Sequence, residues 1–341
     1  MLQYFHYNFP FTLESGFVLP ALSIAFKTYG TLNEQRDNVA WACHALTANA
    51  DVADWWPELT GENNAIDTGK YFLICANIIG SCYGSTGPLE VNPETGKQFF
   101  HAFPPITVRD IVKAHILLRQ HLGLEKIQLL FGGSMGGYQV LEWAIMEKDV
   151  VKNLFLIATS AAESAWGIAI HTAQRLAIEA DDSWRESKAD AGAKGLKAAR
   201  AIGMLSYRNY SMYEKLQKDP DNTKLENFKA SSYIIYQGEK LVKRFNAYSY
   251  YQLTKAMDAH NISRGRAKDV AEALRKMDQP VLLMGISSDI LCPVEEQKFM
   301  AKHLPDVQFH EIDSEYGHDG FLIETEKISS ILKPWLAQRS I

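Results

Sequence analysis

Ser134 lies in Phe131-Gly132-Gly133-Ser134-Met135-Gly136-Gly137, a G-x-S-x-G pattern that follows the apolar run Ile127–Phe131 and precedes the helix-like stretch Tyr138–Met146. A serine hydroxyl is a weak nucleophile at neutral pH; it becomes a useful one when a sharp turn exposes it and a neighbouring base takes its proton. Gly132 and Gly136 supply the space such a turn needs, because its backbone is strained and the following helix must pass close to the sheet. The helix start also aims backbone N–H groups at the site, which favours the negative charge of a tetrahedral acyl-transfer intermediate. With a serine on this kind of turn, the carboxylate and the histidine follow it in chain order. Asp289 stands in Ser287-Ser288-Asp289-Ile290-Leu291-Cys292-Pro293 after the strand-like run Val281–Gly285, and His318 stands in Ser314-Glu315-Tyr316-Gly317-His318-Asp319-Gly320 after Val307–Ile312. Ser134 is therefore the candidate nucleophile, His318 its base and Asp289 the orienting carboxylate. His44, directly after Val39–Cys43, is the rival base and is read as part of an oxyanion-hole loop; Asp278 and Asp313 are rival carboxylates.

These residues need a rigid frame. Apolar runs at Val39–Cys43, Tyr71–Ala76, Ile127–Phe131, Leu154–Ala158, Val281–Gly285 and Val307–Ile312 are mostly too continuous for half-exposed strands, which predicts a buried, mainly parallel sheet. Helical patterns lie between them, as at Ile111, His115, Leu118 and Leu122, which share one face. Strand–helix alternation of this kind implies a three-layer α/β domain with a sheet flanked by helices. The alternation stops near Trp166 and resumes near Pro280, with helix-favouring composition between, as in the alanine- and lysine-rich run 191–200. The expected organisation is a catalytic core of residues 1–164 and 278–341, with a helical lid at 165–277.

Composition narrows the partners. The 341 residues are 47% hydrophobic and 22% charged with a net charge of −5, a globular balance without the basic footprint of a nucleic-acid or membrane-surface binder. Small-molecule substrates are expected. Cys43, Cys75, Cys82 and Cys292 form neither a C-x-x-C pair nor a zinc-like spacing, so they read as buried free thiols and no metal is expected. The first residues lack a leader pattern and no apolar run approaches the ~20 residues of a membrane span, which leads to a cytoplasmic expectation.

Several further segments carry a resemblance: Tyr29-Gly30-Thr31-Leu32-Asn33, Cys43-His44-Ala45-Leu46-Thr47, Tyr83-Gly84-Ser85-Thr86-Gly87-Pro88, Leu141-Glu142-Trp143-Ala144 and Gly317-His318-Asp319-Gly320-Phe321-Leu322, beside the serine motif. Together they resemble the homoserine O-acetyltransferase family along most of the chain. The resemblance implies an α/β-hydrolase fold with Ser134, His318 and Asp289 as the triad and the backbone N–H groups of Leu46 and Met135 as the oxyanion hole. It implies that Arg200 and Tyr207, in the lid, and Asp319 bind substrate. Those types suit an amino acid, whose carboxylate matches the planar fork of Arg200 and whose ammonium matches Asp319. The implied reaction is ping-pong transfer of an acetyl group from acetyl-CoA to the hydroxyl of L-homoserine, a step of methionine biosynthesis, without a tightly bound cofactor. A homodimer formed through the lid is also implied, in keeping with eight of the fifteen tyrosines falling between Tyr207 and Tyr251. Two departures touch the acyl-donor pocket: Ala48-Asn49-Ala50-Asp51 stands where many members have Gly-Asp-x-His, and Tyr138 replaces a commoner methionine. Succinyl transfer, serine as acceptor, a plain esterase and a catalytically silent binding protein remain the alternative readings.

Overall fold

Eight strands form the central sheet of the computed structural model, which describes residues 1–339. They are β1 (Gln3–Tyr7), β2 (Leu22–Tyr29), β3 (Val39–Cys43), β4 (Phe72–Ala76), β5 (Leu129–Gly133), β6 (Leu154–Ile157), β7 (Val281–Ile286) and β8 (Val307–Ile312). Their spatial order is β1-β2-β4-β3-β5-β6-β7-β8. Pairing is parallel from β4 through β8 and antiparallel only where β2 meets β1 and β4.

The central strands are apolar at every position because both faces are covered. Leu130, Leu154, Leu156, Val281 and Leu283 face one core, while Leu129, Phe131, Phe155, Leu282 and Met284 face the other, as the two-residue period requires. The first core is closed by α1 (Val108–His121) and α2 (Met135–Met146) through residues such as Ile111, Leu118, Leu141 and Trp143. A capping box starts α1: Thr107 and Asp110 each accept the other's backbone N–H.

Five helices fill much of the chain between β6 and β7: α3 (Ala165–Glu179), α4 (Ala193–Tyr207), α5 (Tyr210–Gln217), α6 (Lys229–Val242) and α7 (Ala247–Asp258). The two glycines in the run 191–200 have separate reasons. Gly192 caps α4 with φ 75°, outside the helix proper. Gly195 faces α3, where a Cβ would lie 2.5 Å from the Ile178 Cα, so its loss of helix propensity is exchanged for backbone-to-backbone approach. Beyond β7, α8 (Val294–His303) returns to the first core, and α9 (Thr325–Gln338) covers the second with Ile328, Leu332 and Trp335.

Two elements differ from the sequence expectation by two residues or more, and three strands by one. The strand expected at Ile127–Phe131 runs at Leu129–Gly133, since Ile127 makes only an isolated bridge to Val151 and the ladder continues into the serine turn. The helix expected from Tyr138 starts at Met135, because Gly136 and Gly137 are already helical. Among the described residues no helix is long and apolar enough to cross a membrane.

Candidate active site

β5 ends directly in Ser134, whose backbone sits at φ 56°, ψ −132°, an uncommon conformation for a residue with a side chain. The surroundings hold it there. The Ser134 N–H reaches the carbonyls of Ile157 and Ala158 at 3.1 and 3.2 Å, and the Thr159 hydroxyl donates to the Ser134 carbonyl at 2.8 Å. A Cβ on Gly132 would lie 2.7 Å from the Gly136 backbone and 2.8 Å from the Cys43 carbonyl oxygen, so the strand, the helix and the β3 loop meet where only glycine fits. The serine pattern thus exists for close approach, as its spacing predicted.

Asp289 follows β7 and His318 follows β8, so both arrive at the same sheet edge as Ser134. His318 Nε2 is 2.8 Å from the Ser134 hydroxyl, and His318 Nδ1 is 2.7 Å from Asp289 Oδ2. The second carboxylate oxygen of Asp289 accepts the N–H groups of Leu291 and Cys292 at 2.8 and 2.9 Å. All three side chains are buried. Burial alone would lower the His318 pKa, but the adjacent Asp289 charge and its hydrogen bond reverse that and raise it. The chain of contacts can withdraw the serine proton and stabilise the imidazolium that results. The tightest grouping of potential metal-ligand atoms among the described residues is this same pair with Cys292, within 4.8 Å. Burial drives the Cys292 thiol well above its usual range, and His318 and Asp289 face each other, so the group is set up for proton transfer.

His44 is fully employed elsewhere. Its Nδ1 bonds the Ala45 carbonyl at 2.9 Å, its Nε2 accepts the Ile78 N–H at 3.2 Å, and burial lowers its pKa to about 4. It shapes the loop that carries Leu46. There the Ala48 N–H donates to the Ala45 carbonyl at 3.0 Å, closing a turn that leaves the Leu46 N–H unused. Met135, first residue of α2, likewise has no intrahelical acceptor for its N–H. Buried Gln139 ties the two together, donating to the carbonyls of His44 and Met135 at 3.0 and 3.3 Å. The rival carboxylates are also committed: Asp278 pairs with Lys148, and Asp313 accepts from Ser287.

A cavity of about 410 Å³ opens above Ser134, lined by Leu46, Thr47, Trp55, Arg200, Tyr207, His318 and Asp319 among others. Arg200 and Tyr207, two turns apart on α4, face the same side, with the guanidinium carbon 5.2 Å from the tyrosine ring centre. The buried Arg200 Nε has no hydrogen-bond partner among the described residues. Asp319 is held at 2.9 Å by Arg208, one residue past α4. A guanidinium with one buried nitrogen unsatisfied and a paired carboxylate, beside a serine–histidine–aspartate chain, form a suitable cradle for a zwitterion.

The chain matches the α/β hydrolase fold family over residues 42–325. It is 47% identical over 329 residues to a homoserine O-acetyltransferase of Cyclobacterium marinum, covering 96% of this chain and 93% of that relative. The chain belongs to the homoserine O-acetyltransferase family. Among solved structures, a homoserine O-acetyltransferase from Bacillus anthracis superposes with TM-score 0.93 at 24% identity, covering 98% of this chain and 97% of that one. An acetylester hydrolase from Corynebacterium glutamicum superposes with TM-score 0.87 at 22% identity, covering 98% and 95%. Both share the fold.

Against other homoserine O-acetyltransferases, the two departures read from the sequence have structural partners of their own. Asp51 accepts the Tyr29 hydroxyl at 2.6 Å and pairs with Lys27, while the Ala50 N–H donates to Asn77 Oδ1 at 2.6 Å. Tyr138 donates its hydroxyl to Glu163 at 2.9 Å and stacks on His260 at 4.0 Å, behind the triad and outside the cavity lining. Sequence reasoning overlooked Arg208, Gln139 and His171, which lines the cavity and bonds Asp258 at 2.8 Å. Adjacency of Arg208 to Tyr207 was the one available signal. The bonds of His171 to Asp258 and of Gln139 to His44 join segments that sequence order does not connect.

Proposed function

We propose that this chain is a homoserine O-acetyltransferase that works by a ping-pong mechanism. The carrying observation is that the hydrogen-bonded chain Ser134–His318–Asp289 opens into the same cavity as Arg200, whose buried Nε has no hydrogen-bond partner among the described residues. His318 takes the Ser134 proton as the serine oxygen attacks the thioester carbonyl of acetyl-CoA, and the N–H groups of Leu46 and Met135 receive the oxyanion. The tetrahedral intermediate collapses, the C–S bond breaks, and His318 returns the proton to the departing thiolate. Homoserine then enters with its carboxylate on Arg200, beside Tyr207, and its ammonium on Asp319. His318 removes the hydroxyl proton, the oxygen attacks the acetyl-serine, and Ser134 leaves with that proton restored. Residues 165–277 act as the lid that brings Arg200 and Tyr207 over a core made of 1–164 and 278–341.

A plain esterase would need only the triad and oxyanion hole. Arg200 and Asp319 favour an amino-acid acceptor over water. Steady-state assays with acetyl-CoA and homoserine, run beside succinyl-CoA and serine, test the reading; hydrolysis that proceeds equally fast without an acceptor would overturn it. The reading includes no tightly bound cofactor, a cytoplasmic setting and a homodimer. The dimer would cover exposed lid residues such as Leu205 and Tyr210, which are 60% and 78% exposed.

A further inference from the structure

Two cations at the rim of the catalytic cavity have no role in the chemistry above. Lys240 lies in the last turn of α6 and Arg244 just past its end, one helical turn apart, and both line the cavity that contains Ser134. Their neighbours Leu241 and Phe245 are buried, 1% and 4% exposed, which anchors this segment and turns the two cations outward. Neither cation has a carboxylate partner among the described residues. Glu239, the acid beside Lys240, is taken by Lys197 from α4 at 2.7 Å. Arg244 instead contacts neutral acceptors, the Thr47 carbonyl and the Tyr83 hydroxyl, which orient its guanidinium without cancelling its charge. Of the carboxylates lining the cavity, Asp319 is engaged by Arg208; Asp54, in the short helix Val52–Trp55, balances only one of the two rim cations. In a chain whose net charge is −5, a rim that keeps net positive charge at the cavity containing Ser134 is a focused attraction for anions.

We propose that Lys240 and Arg244 form a phosphate-docking pair that takes the phosphates of the acyl-CoA donor while its neutral pantetheine arm reaches Ser134. The inference rests on acyl-CoA being the donor and adds where its charged half is held. Arg244 suits a phosphate through its fork and Lys240 as a point charge. Because Thr47 follows Leu46, docking at Arg244 also bears on the loop that supplies one oxyanion donor.

The test compares acetyl-CoA, acetyl-dephospho-CoA and S-acetylpantetheine as donors, reading the kcat/KM of thiol release in the wild type, Lys240→Met, Arg244→Met and the double variant. All three donors use the same serine and oxyanion hole, so the preference for acetyl-CoA over S-acetylpantetheine separates the nucleotide half, phosphates included, from any general damage, and a loss of that preference on neutralising a cation reports on the phosphates. That preference should fall by about tenfold or more for each cation removed, as for a lost charge-assisted hydrogen bond. It should also weaken with added salt in the wild type and less so in the double variant. A loss that persists with acetyl-dephospho-CoA places the contact on the diphosphate, and one confined to acetyl-CoA places it on the 3′-phosphate. An unchanged preference in the double variant overturns the proposal. Calorimetric binding of CoA itself separates this from the catalytic reading: wild-type CoA binding that the double variant lacks supports the docking pair even if homoserine is not acetylated, and equal binding by both overturns it.

Discussion

The guanidinium of Arg208 stands 2.9 Å from the carboxylate of Asp319, joining the residue just past α4 to the residue just past His318. Burial pushes the Asp319 carboxyl above the usual carboxylate range, while Arg208, His318 and Arg200 pull it back and Asp289 adds to the rise. Tyr207 and Tyr213, neutral at working pH, are the other titratable groups that feel its charge. We propose that Arg208 is a positioning residue, which favours the charged form of Asp319 and fixes its direction.

Arg208→Met should raise the KM for homoserine by about tenfold or more, the scale of a lost charge-assisted contact, and leave the first burst of CoA largely intact. With the guanidinium gone the Asp319 pKa rises further, so homoserine kcat/KM should begin to fall at a higher pH on acidification. Arg208→Lys should recover part of both effects. Equal damage to burst and turnover would assign Arg208 to folding alone.

Ser134→Ala should fold normally, since the elbow depends on Gly132, Gly136 and the backbone bonds from Ser134, none of which uses the hydroxyl. Incubation with acetyl-CoA followed by intact-mass measurement should show no acetyl adduct. An adduct in this variant would move the nucleophile elsewhere.

Arg200→Ala removes the expected partner of the acceptor carboxylate. Loss of one member of such a pair typically costs about 2–5 kcal/mol, so homoserine turnover should drop by more than about tenfold. The donor half-reaction does not involve homoserine, and its CoA burst should survive. Stopped-flow bursts set beside steady-state rates give the comparison.

Asp289→Asn should shift the acid limb of the donor kcat/KM profile. Catalysis needs neutral His318, whose folded pKa is raised above 6.5 because the Asp289 charge outweighs burial, so activity falls as pH drops through that raised value. Removing the charge leaves burial dominant and moves the limb to lower pH, while the plateau falls by orders of magnitude, about 10⁴ in comparable triads. The same pair stabilises the fold fully below the unfolded-state histidine value and loses that contribution as pH rises through the folded one. A limb that does not move would remove Asp289 as the source of the raised pKa.

Light scattering at micromolar concentration should give a dimer mass for the wild type, and Leu205→Glu combined with Tyr210→Glu should give a monomer. A monomeric wild type would leave the exposed lid residues without the proposed cover.

The sequence exposed those parts of the site that chain order and local sterics determine. Ser134 was legible because its glycines are neighbours along the chain, Asp289 because it follows the continuous apolar strand Val281–Ile286, and His318 because it follows the alternating strand Val307–Ile312. Strands β1 and β2 were not drawn out, because their burial is mixed and a pattern such as that of Gln3–Tyr7 carries little period. Arg208 needed the packing of α4 against the His318 loop, and the bond from Gln139 to His44 spans 95 positions, so neither pairing leaves a local trace. Half a pair was visible in each case, but not its partner.

The helical segment between β6 and β7 places His318, the proposed base, 184 residues after Ser134. At synthesis rates of about 5–20 residues per second, the ribosome delivers Ser134 roughly 10–40 seconds before His318. Throughout that interval the nascent chain holds a serine without its proposed base, and before it ends the helix that carries both Arg200 and Tyr207 has been made. In the proposed mechanism acylating power therefore arises late, when Arg200 and Tyr207 can already be in place and Asp319 is the next residue to emerge. A chain released before His318 would contain the nucleophile's turn and most of the lid yet have no means of drawing acyl groups from the cell's thioester pool.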